Sequence, residues 1–496
     1  MSSRAILIGS LTEQPLKVDL EGLSGSVDVL EIRADRVGEI DVDEVRRRFP
    51  GRLLFTLRSR PEGGKGPESP HDREQRLLAA ADQFDLVDLE AERDLYPGIL
   101  DRIAPERRII SWHGRPTNLD SLKERLAEMS RESARWYKLV LFAKQPRECL
   151  LPLALARASG RDDVIAFAAG EVASWTRLLA PRLGAPVVYG SVGSGPAAPG
   201  QPSIHQLCRD YHLPDLPPVD RLFGLVGHPI SHSLSPRLHN GLYRALGIEH
   251  LYLAFDVPVF GDFWLDVVEG GSLRELGVPL AGLSVTSPFK EIALAVAGAA
   301  SPLAERIGSA NTLNRRANVW EAESTDPDGV RGPLALEQIN VAGRRAAILG
   351  AGGAGRAAAF GLGMEGAAIT LVNRSPERGR RVARELGVDF LAFDDFDPGA
   401  FEIIANATPL GAATGEDLPF DPAALAEESV VMDLAYLPDR PTRLVEEARK
   451  LGRVAIDGRE VLLYQAVSQF RAMNGVAMPL DLGRRILDLQ ASESRT

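Results

Sequence analysis

Lys138 stands inside the apolar run R-W-Y-K-L-V, where a charged side chain is least expected. The chain has 57 basic residues, of which only 7 are lysine and 50 are arginine. Where a positive charge alone suffices, this protein uses arginine. A retained lysine is then either chance or a sign of a task that needs an amine able to lose its proton, which a guanidinium cannot do. Lys290, in V-T-S-P-F-K, is a second of the seven. A different chemistry is written in R-A-A-I-L-G-A-G-G-A-G-R, Arg345 to Arg356, where Gly350, Gly352 and Gly355 fit G-x-G-x-x-G after an apolar strand and before a helix-forming run. Such glycines permit a tight turn and the close approach of a pyrophosphate to a helix N-terminus. The next strand, A-A-I-T-L-V-N-R, ends on Asn373, Arg374 and Ser375, with Arg378 beyond and no carboxylate before Glu377. An acid there would bond a ribose 2′-hydroxyl, whereas arginine suits a 2′-phosphate, so the cofactor expected is NADP(H).

These groups need elements to hold them. At 496 residues, two or three domains are expected. The hydrophobic content of 45% and charged content of 25% are those of a globular, water-soluble protein. A net charge of −11 argues against a general nucleic-acid or anionic-membrane binder. Cys149 and Cys208 cannot build a disulfide framework, so a cytoplasmic setting is expected. No 18-residue apolar run suggests a membrane span, and the N-terminal A-I-L-I-G-S reads as a first strand.

The stretch Arg209 to Phe223, with Pro214, Pro217 and Pro218, reads as a linker between two patterned halves. The first half offers eight strand candidates: A-I-L-I-G-S, V-D-V-L-E-I-R, R-L-L-F-T-L-R, F-D-L-V-D-L-E, R-R-I-I-S-W-H, W-Y-K-L-V-L-F, D-V-I-A-F-A-A and A-P-V-V-Y-G-S. Helix-compatible stretches such as Asp72–Asp82 and Leu119–Glu132 separate most of them. A doubly wound sheet and a small (β/α)8 barrel both fit this alternation, and the barrel is preferred. It would gather Glu31, Arg33, Arg58, Glu90, His113 and Lys138 at the C-terminal ends of its strands.

Six motifs in order, G-L-V-G-H-P-I-S-H-S-L-S-P-R-L-H-N, G-L-S-V-T-S-P-F-K, I-G-S-A-N-T-L, the glycine loop with N-R-S, N-A-T-P-L-G and G-R-E-V-L-L-Y-Q-A, make the chain from about Arg221 onward resemble shikimate dehydrogenase. The resemblance implies a two-lobed unit. It places Ser233 and Ser235 on the substrate carboxylate, Thr286, Asn311 and Gln465 on the ring hydroxyls, Tyr436 beside the site, and Lys290 with Asp326 as the catalytic pair. It also implies cofactor contacts from Gly350, Ala351, Gly352, Gly353, Ala354, Asn373, Arg374, Ser375, Arg378 and Thr408. Two positions depart from the family pattern: Ser324 where N-T-D is usual, and Ser287 within V-T-S-P-F-K. Quinate stays open as a substrate.

The first half resembles a type I 3-dehydroquinate dehydratase through L-E-I-R-A-D, F-T-L-R-S-R-P-E-G-G, D-L-V-D-L-E, S-W-H, Y-K-L-V and A-A-P-G-Q, over about Arg4 to Gln201. The resemblance implies that Lys138 joins the substrate ketone as a Schiff base. His113, 25 residues earlier, would be the general acid and base, and Glu62 would orient it. Glu31, Arg33 and Arg58 would bind the hydroxyls and carboxylate, with Arg177 and Gln201 closing over the substrate. Lys144 is the rival lysine, lying beyond the strand. Departures here are Ala197, where the family has serine, and Gly114 with Arg115 after S-W-H.

Taken together, the expectation is a bifunctional α/β enzyme. Residues 1–210 would be a dehydratase barrel. Residues 221–327, completed by 462–496, would be a substrate lobe, and 328–461 a Rossmann NADP lobe. Its substrates would be 3-dehydroquinate and then 3-dehydroshikimate, reduced to shikimate, with no metal, nucleic acid or membrane partner and the oligomeric state open. The histidines His228, His232 and His239 lack a matching ligand set. The alternatives are a quinate/shikimate dehydrogenase with a weakened dehydratase, and a non-catalytic metabolite-binding regulator.

Overall fold

The computed structural model describes residues 4–23, 25–411 and 418–489. Positions 1–3 of the expected barrel and 490–496 of the expected lobe completion lie outside the described residues. The chain divides into two compact units, Met1–Arg221 with Glu249–Leu280, and Leu222–Ile248 with Ala281–Thr496.

Eight short strands organise the first unit: β1 (Ile6–Leu11), β2 (Val29–Arg33), β3 (Arg52–Thr56), β4 (Leu86–Glu90), β5 (Arg108–Gly114), β6 (Trp136–Phe142), β7 (Val164–Ala169) and β8 (Val187–Val192). They pair in parallel in chain order, and β8 returns to β1, giving a nearly closed (β/α)8 barrel. Each expected strand is present. They are nearly continuous apolar runs because both faces are covered, as in parallel sheets generally. Helices form where the sequence supplies caps. Ser69 accepts from Asp72 N at the start of Pro70–Gln83, and Asn118 with Ser121 makes a capping box for Leu119–Met129.

Two expectations need correction. Lys138 is the third residue of β6, not a residue at its end, so it lies at mid-depth in the barrel. The linker is shorter than expected. The helix Ile204–Tyr211 and the strand β9 (Arg221–Gly227) take up its two ends, leaving 212–220, where the three prolines deny ladder donors.

β10 (His250–Asp256) belongs to the segment grouped with the first unit. In the second unit, β11 (Leu280–Val285), β12 (Ala299–Ala300), β13 (Thr312–Arg316) and β14 (Val319–Glu323) join β9 in a mixed sheet, ordered β9-β11-β13-β14-β12. A second, wholly parallel sheet contains β15 (Arg345–Leu349), β16 (Ala368–Asn373), β17 (Asp389–Ala392), β18 (Ile403–Asn406), β19 (Val430–Asp433) and β20 (Val454–Ile456) in the order β17-β16-β15-β18-β19-β20. Alternate residues of β15 feed two cores, Ala346 and Ile348 on one face, Ala347 and Leu349 on the other. The strand order reverses direction between β15 and β18, and such a reversal leaves a crevice at the carboxyl ends of the strands.

Candidate active sites

Period-two alternation turns one set of barrel residues inward. Lys138, Val140 and Phe142 of β6, Phe167 and Ala169 of β7, and Tyr189 of β8 line one cavity of about 240 Å³. Glu31, Arg33, Arg58, Glu62, His113, Arg177 and Gln201 line it too. All eight residues expected in the dehydratase site therefore meet in one cavity. Lys144, by contrast, is exposed beyond β6.

Around Lys138 the interior is crowded with charge. Its Nζ stands 3.5 Å from Asp88 Oδ2 and 4.0 Å from Glu31 Oε1, and 4.2 Å above the Tyr189 ring. Burial pushes the lysine below its ordinary range; Asp88 and Glu31 oppose this, while Arg58 and Arg33 add to it. Arg58 donates to Glu62 Oε2 at 2.9 Å, Ser111 Oγ at 2.9 Å and Asp88 Oδ2 at 2.8 Å. Those acids, with Glu90, hold it charged against burial. Arg33 forks onto Asp35 at 2.8 and 2.9 Å and reaches Ala197 O at 3.4 Å. Gln201 donates to Ser10 Oγ at 3.3 Å. Arg177 lies over the Phe167 ring at 4.2 Å, and burial pulls its guanidinium down to about 10.

His113 Nδ1 is 2.8 Å from Glu62 Oε2. Burial, and then Arg58 and Lys138, push the imidazole well below its ordinary range. Burial raises Glu62 to about 8, with Arg58 opposing and Glu90 and Asp88 adding. Both shifts favour an uncharged pair, a histidine that takes up a proton only transiently. The Gly114 departure has a steric reason: a Cβ there would stand 2.1 Å from the Trp112 indole, which folds over the strand end.

In the second unit, the Lys290 amine donates to Asp326 Oδ2 at 2.5 Å. Asn311 Nδ2 donates to Asp326 Oδ1 at 2.8 Å and to Gln465 Oε1 at 3.1 Å. Asn311 Oδ1 accepts from Thr325 N at 2.8 Å. Four of the expected residues thus form one connected cluster. Ser233, Ser235 and Tyr436 form another: Ser235 N donates to Ser233 Oγ at 3.2 Å. Burial raises the Tyr436 phenol, and its hydrogen bond with Ser233 opposes that. Thr286 follows the last residue of β11. Ser324 Oγ is buried with no hydrogen-bond partner among the described residues.

The glycine loop caps β15 and opens the helix Gly353–Met364. Gly350 has φ +104°, and a Cβ on Gly355 would stand 1.9 Å from Gly350 O. Only glycine allows that turn. Asn373 Oδ1, at the end of β16, accepts from Ala351 N at 3.1 Å and so fixes the loop. Arg374, Ser375 and Arg378 are exposed just beyond, and Arg378 donates to Glu291 at 2.9 Å. Thr408, after β18, donates to Asn406 Oδ1 at 2.6 Å on the other side of the crevice. A Cβ on Gly353 would lie 2.8 Å from Lys290 Cβ, so the loop abuts the Lys290–Asp326 pair. Open amides at a helix start, a cradle that a side chain would fill, and two exposed guanidiniums fit a dinucleotide with a 2′-phosphate.

Comparison with known proteins decides the family. A curated shikimate dehydrogenase (NADP(+)) from Methanothrix thermoacetophila is 36% identical over 266 residues, covering 53% of this chain and 94% of that protein. The chain belongs to the shikimate dehydrogenase family. The family model described as the shikimate dehydrogenase substrate binding domain matches residues 225–313, and that of type I 3-dehydroquinase matches 5–216. Both halves are also found joined elsewhere. The bifunctional 3-dehydroquinate dehydratase/shikimate dehydrogenase, chloroplastic, of Arabidopsis thaliana is 27% identical over 490 residues, covering 93% of this chain and 80% of that one. A solved dehydroquinate dehydratase and shikimate dehydrogenase from S. pombe is 23% identical, with a TM-score of 0.42 and coverage of 98% and 99%.

Sequence reasoning missed several residues of this dehydrogenase and its dehydratase partner. Asp88 and Ser111 sit beneath Lys138, and Tyr189 faces it. The signal for Asp88 was present in D-L-V-D-L-E, where Asp88 and Glu90 share one face of the strand. Thr325 and Gln469 were missed in the second unit; Gln469 donates to Asn311 O at 3.1 Å and Thr312 Oγ1 at 2.8 Å.

Proposed function

We propose that the two sites catalyse consecutive steps on one chain, conversion of 3-dehydroquinate to 3-dehydroshikimate and its NADPH-dependent reduction to shikimate. The observation that carries the first step is the buried Lys138 amine in one cavity with the Glu62–His113 pair. Its nitrogen adds to the substrate ketone and the carbonyl oxygen leaves as water, forming an imine. The protonated imine draws electrons from the neighbouring C–H, whose proton passes to His113. The β-hydroxyl then departs as a second water with a proton from His113. Hydrolysis of the imine returns the amine. Arg33, Arg58, Glu31, Arg177 and Gln201 are proposed to hold the substrate's carboxylate and hydroxyls.

For the second step, Ser233, Ser235 and Tyr436 would bind the carboxylate, while Thr286, Asn311 and Gln465 hold the ring. Lys290, fixed by Asp326, would give a proton to the reacting oxygen. NADPH, when bound, supplies the reducing equivalents. The loop 350–354, Asn373, Arg374, Ser375, Arg378 and Thr408 would hold it. We further propose the domain limits 1–210, 221–327 with 462–496, and 328–461. A cytoplasmic setting is proposed from the unpaired Cys149 and Cys208. Among the described residues, no helix is long and apolar enough to cross a membrane.

The test adds 3-dehydroquinate and NADPH to the purified chain and follows NADPH absorbance. Loss of absorbance is expected. No loss, with 3-dehydroshikimate still reduced, would remove the dehydratase reading.

A further inference from the structure

Lys138 is flanked by two carboxylates, yet both contacts, 3.5 Å to Asp88 Oδ2 and 4.0 Å to Glu31 Oε1, exceed the length of about 2.7–2.9 Å usual for a charge-assisted hydrogen bond. The reason lies in what else the carboxylates hold. Asp88 Oδ1 accepts from Ser111 Oγ at 2.5 Å, and Oδ2 accepts from Arg58 Nη2 at 2.8 Å. Glu31 Oε1 accepts from Thr56 Oγ1 at 2.8 Å, and Oε2 accepts from Ser10 Oγ. Every oxygen of both acids already has a hydroxyl or guanidinium donor. Ser111 and Thr56 are both buried. The strand register explains how they reach. Ser111 of β5 pairs with Lys138 of β6, and Thr56 ends β3 beside Arg33 of β2.

We propose that Ser111 and Thr56 are positioning residues for the lysine: by anchoring Asp88 through Oδ1 and Glu31 through Oε1, their hydroxyls hold both carboxylates short of a closed salt bridge with Lys138 and leave its amine free to attack. The proposal rests on the reading of Lys138 as the imine-forming residue. The logic is positional. A buried ammonium hydrogen-bonded to a carboxylate is a poor nucleophile, because its lone pair is engaged by a proton that the acid stabilises. A hydroxyl bonded to the acid disperses that charge without adding a formal charge. The groups facing the amine are Asp88 from β4, Glu31 and Arg33 from β2, Arg58 after β3, and the Tyr189 ring from β8, with His113 from β5 and Arg177 in the same cavity. The two acids favour the ammonium while Arg58 and Arg33 oppose it, so weakening the hold on either acid tips the balance towards the ammonium. The burial-driven lowering of Lys138 agrees in direction.

The test is reductive trapping. The full chain is mixed with 3-dehydroquinate and sodium borohydride across a pH series, and the adduct is read from the intact mass. Adduct yield in the wild type should rise with pH as the amine loses its proton. In Ser111→Ala and Thr56→Val, where a released carboxylate closes on the amine, the midpoint should move up by about one pH unit, the lower end of the shift that an opposite charge in close contact produces. Ser111→Thr, which keeps a hydroxyl, should return it. A far-UV circular dichroism spectrum and a melting temperature like the wild type's, in every variant, show that the barrel has folded. A purely packing role would lower the yield at all pH values without moving the midpoint, and that result in both variants overturns the proposal. A wild type that forms no adduct at any pH overturns the imine reading and this proposal with it.

Discussion

Two lysines on one chain are held in opposite ways. Lys138 lies in a barrel interior with side-chain exposure of 6%, beside two carboxylates that do not grip it closely. Lys290, at 14%, donates a hydrogen bond to a single carboxylate, Asp326, at 2.5 Å, and the surrounding partners are neutral amides and a hydroxyl. The difference matches the chemistry proposed for each. An amine that must form a covalent bond needs burial to shed its proton, and it needs its neighbouring acids held short of a closed ion pair. An amine that delivers a proton to a reacting oxygen needs the opposite, a fixed acid to hold the ammonium in place. The fold suits each. A barrel strand at mid-depth buries its residue on all sides, whereas Lys290 begins a helix at the edge of a crevice that must admit a dinucleotide.

The comparison is broken most directly by exchanging the lysines' fates. Lys138→Ala should lower dehydration by about 10⁴-fold or more while sparing reduction of 3-dehydroshikimate. Lys290→Ala should do the reverse, with a loss of about 10²–10⁴-fold in reduction, the range of a positioned proton donor. Separate assays of the two half-reactions on each variant decide both; a variant that loses both activities would mean that the sites are not independent. Gly355→Ala comes next. Its Cβ would meet Gly350 O at 1.9 Å, so the loop must open. NADPH affinity measured by fluorescence titration should fall about tenfold or more, with dehydration unaffected.

A subtler test concerns the barrel's buried acid. The Glu62 carboxyl is raised from 4.5 to about 8, mainly by burial. Between those values the folded state keeps a proton that the unfolded chain has released. Rising pH through that window therefore removes stability, and none of this cost exists below it. Glu62→Gln has no proton to lose. Its melting temperature relative to wild type should climb as pH goes from 5 to 8, by about 2–4 °C for each kcal/mol regained. A difference that stays flat with pH would mean that Glu62 is ionised in the folded state. The smallest effect expected is at Arg378, which is exposed and shared with Glu291. Arg378→Gln should raise the KM for NADPH several-fold and leave that for NADH unchanged, with the gap shrinking at high salt.

Much of this was legible in the residues because each signal was local. Arginine abundance made Lys138 and Lys290 conspicuous, the glycines of 350–355 lie on consecutive turns of chain, and the absence of an acid before Glu377 was enough to expect a 2′-phosphate. The eight strands were legible because parallel strands covered on both faces are apolar throughout. What stayed hidden was pairwise and distant in sequence. Nothing in S-W-H says that Ser111 gives its proton to Asp88, 23 positions away, or that Thr56 serves Glu31, 25 away. The depth of Lys138 in its strand was also misjudged, because an apolar run shows its ends and not its level in a barrel.

By itself, then, the sequence determined the element types and the cofactor preference, since composition and short spacing control these, and the motifs around Lys138 and Lys290 marked them as candidates. Only the tertiary structure decided which carboxylates face each amine and which of their oxygens are already taken. That depends on strand register and barrel closure, which bring together side chains from β2, β3, β4, β5 and β6 at one level, and no local pattern encodes the meeting of five strands.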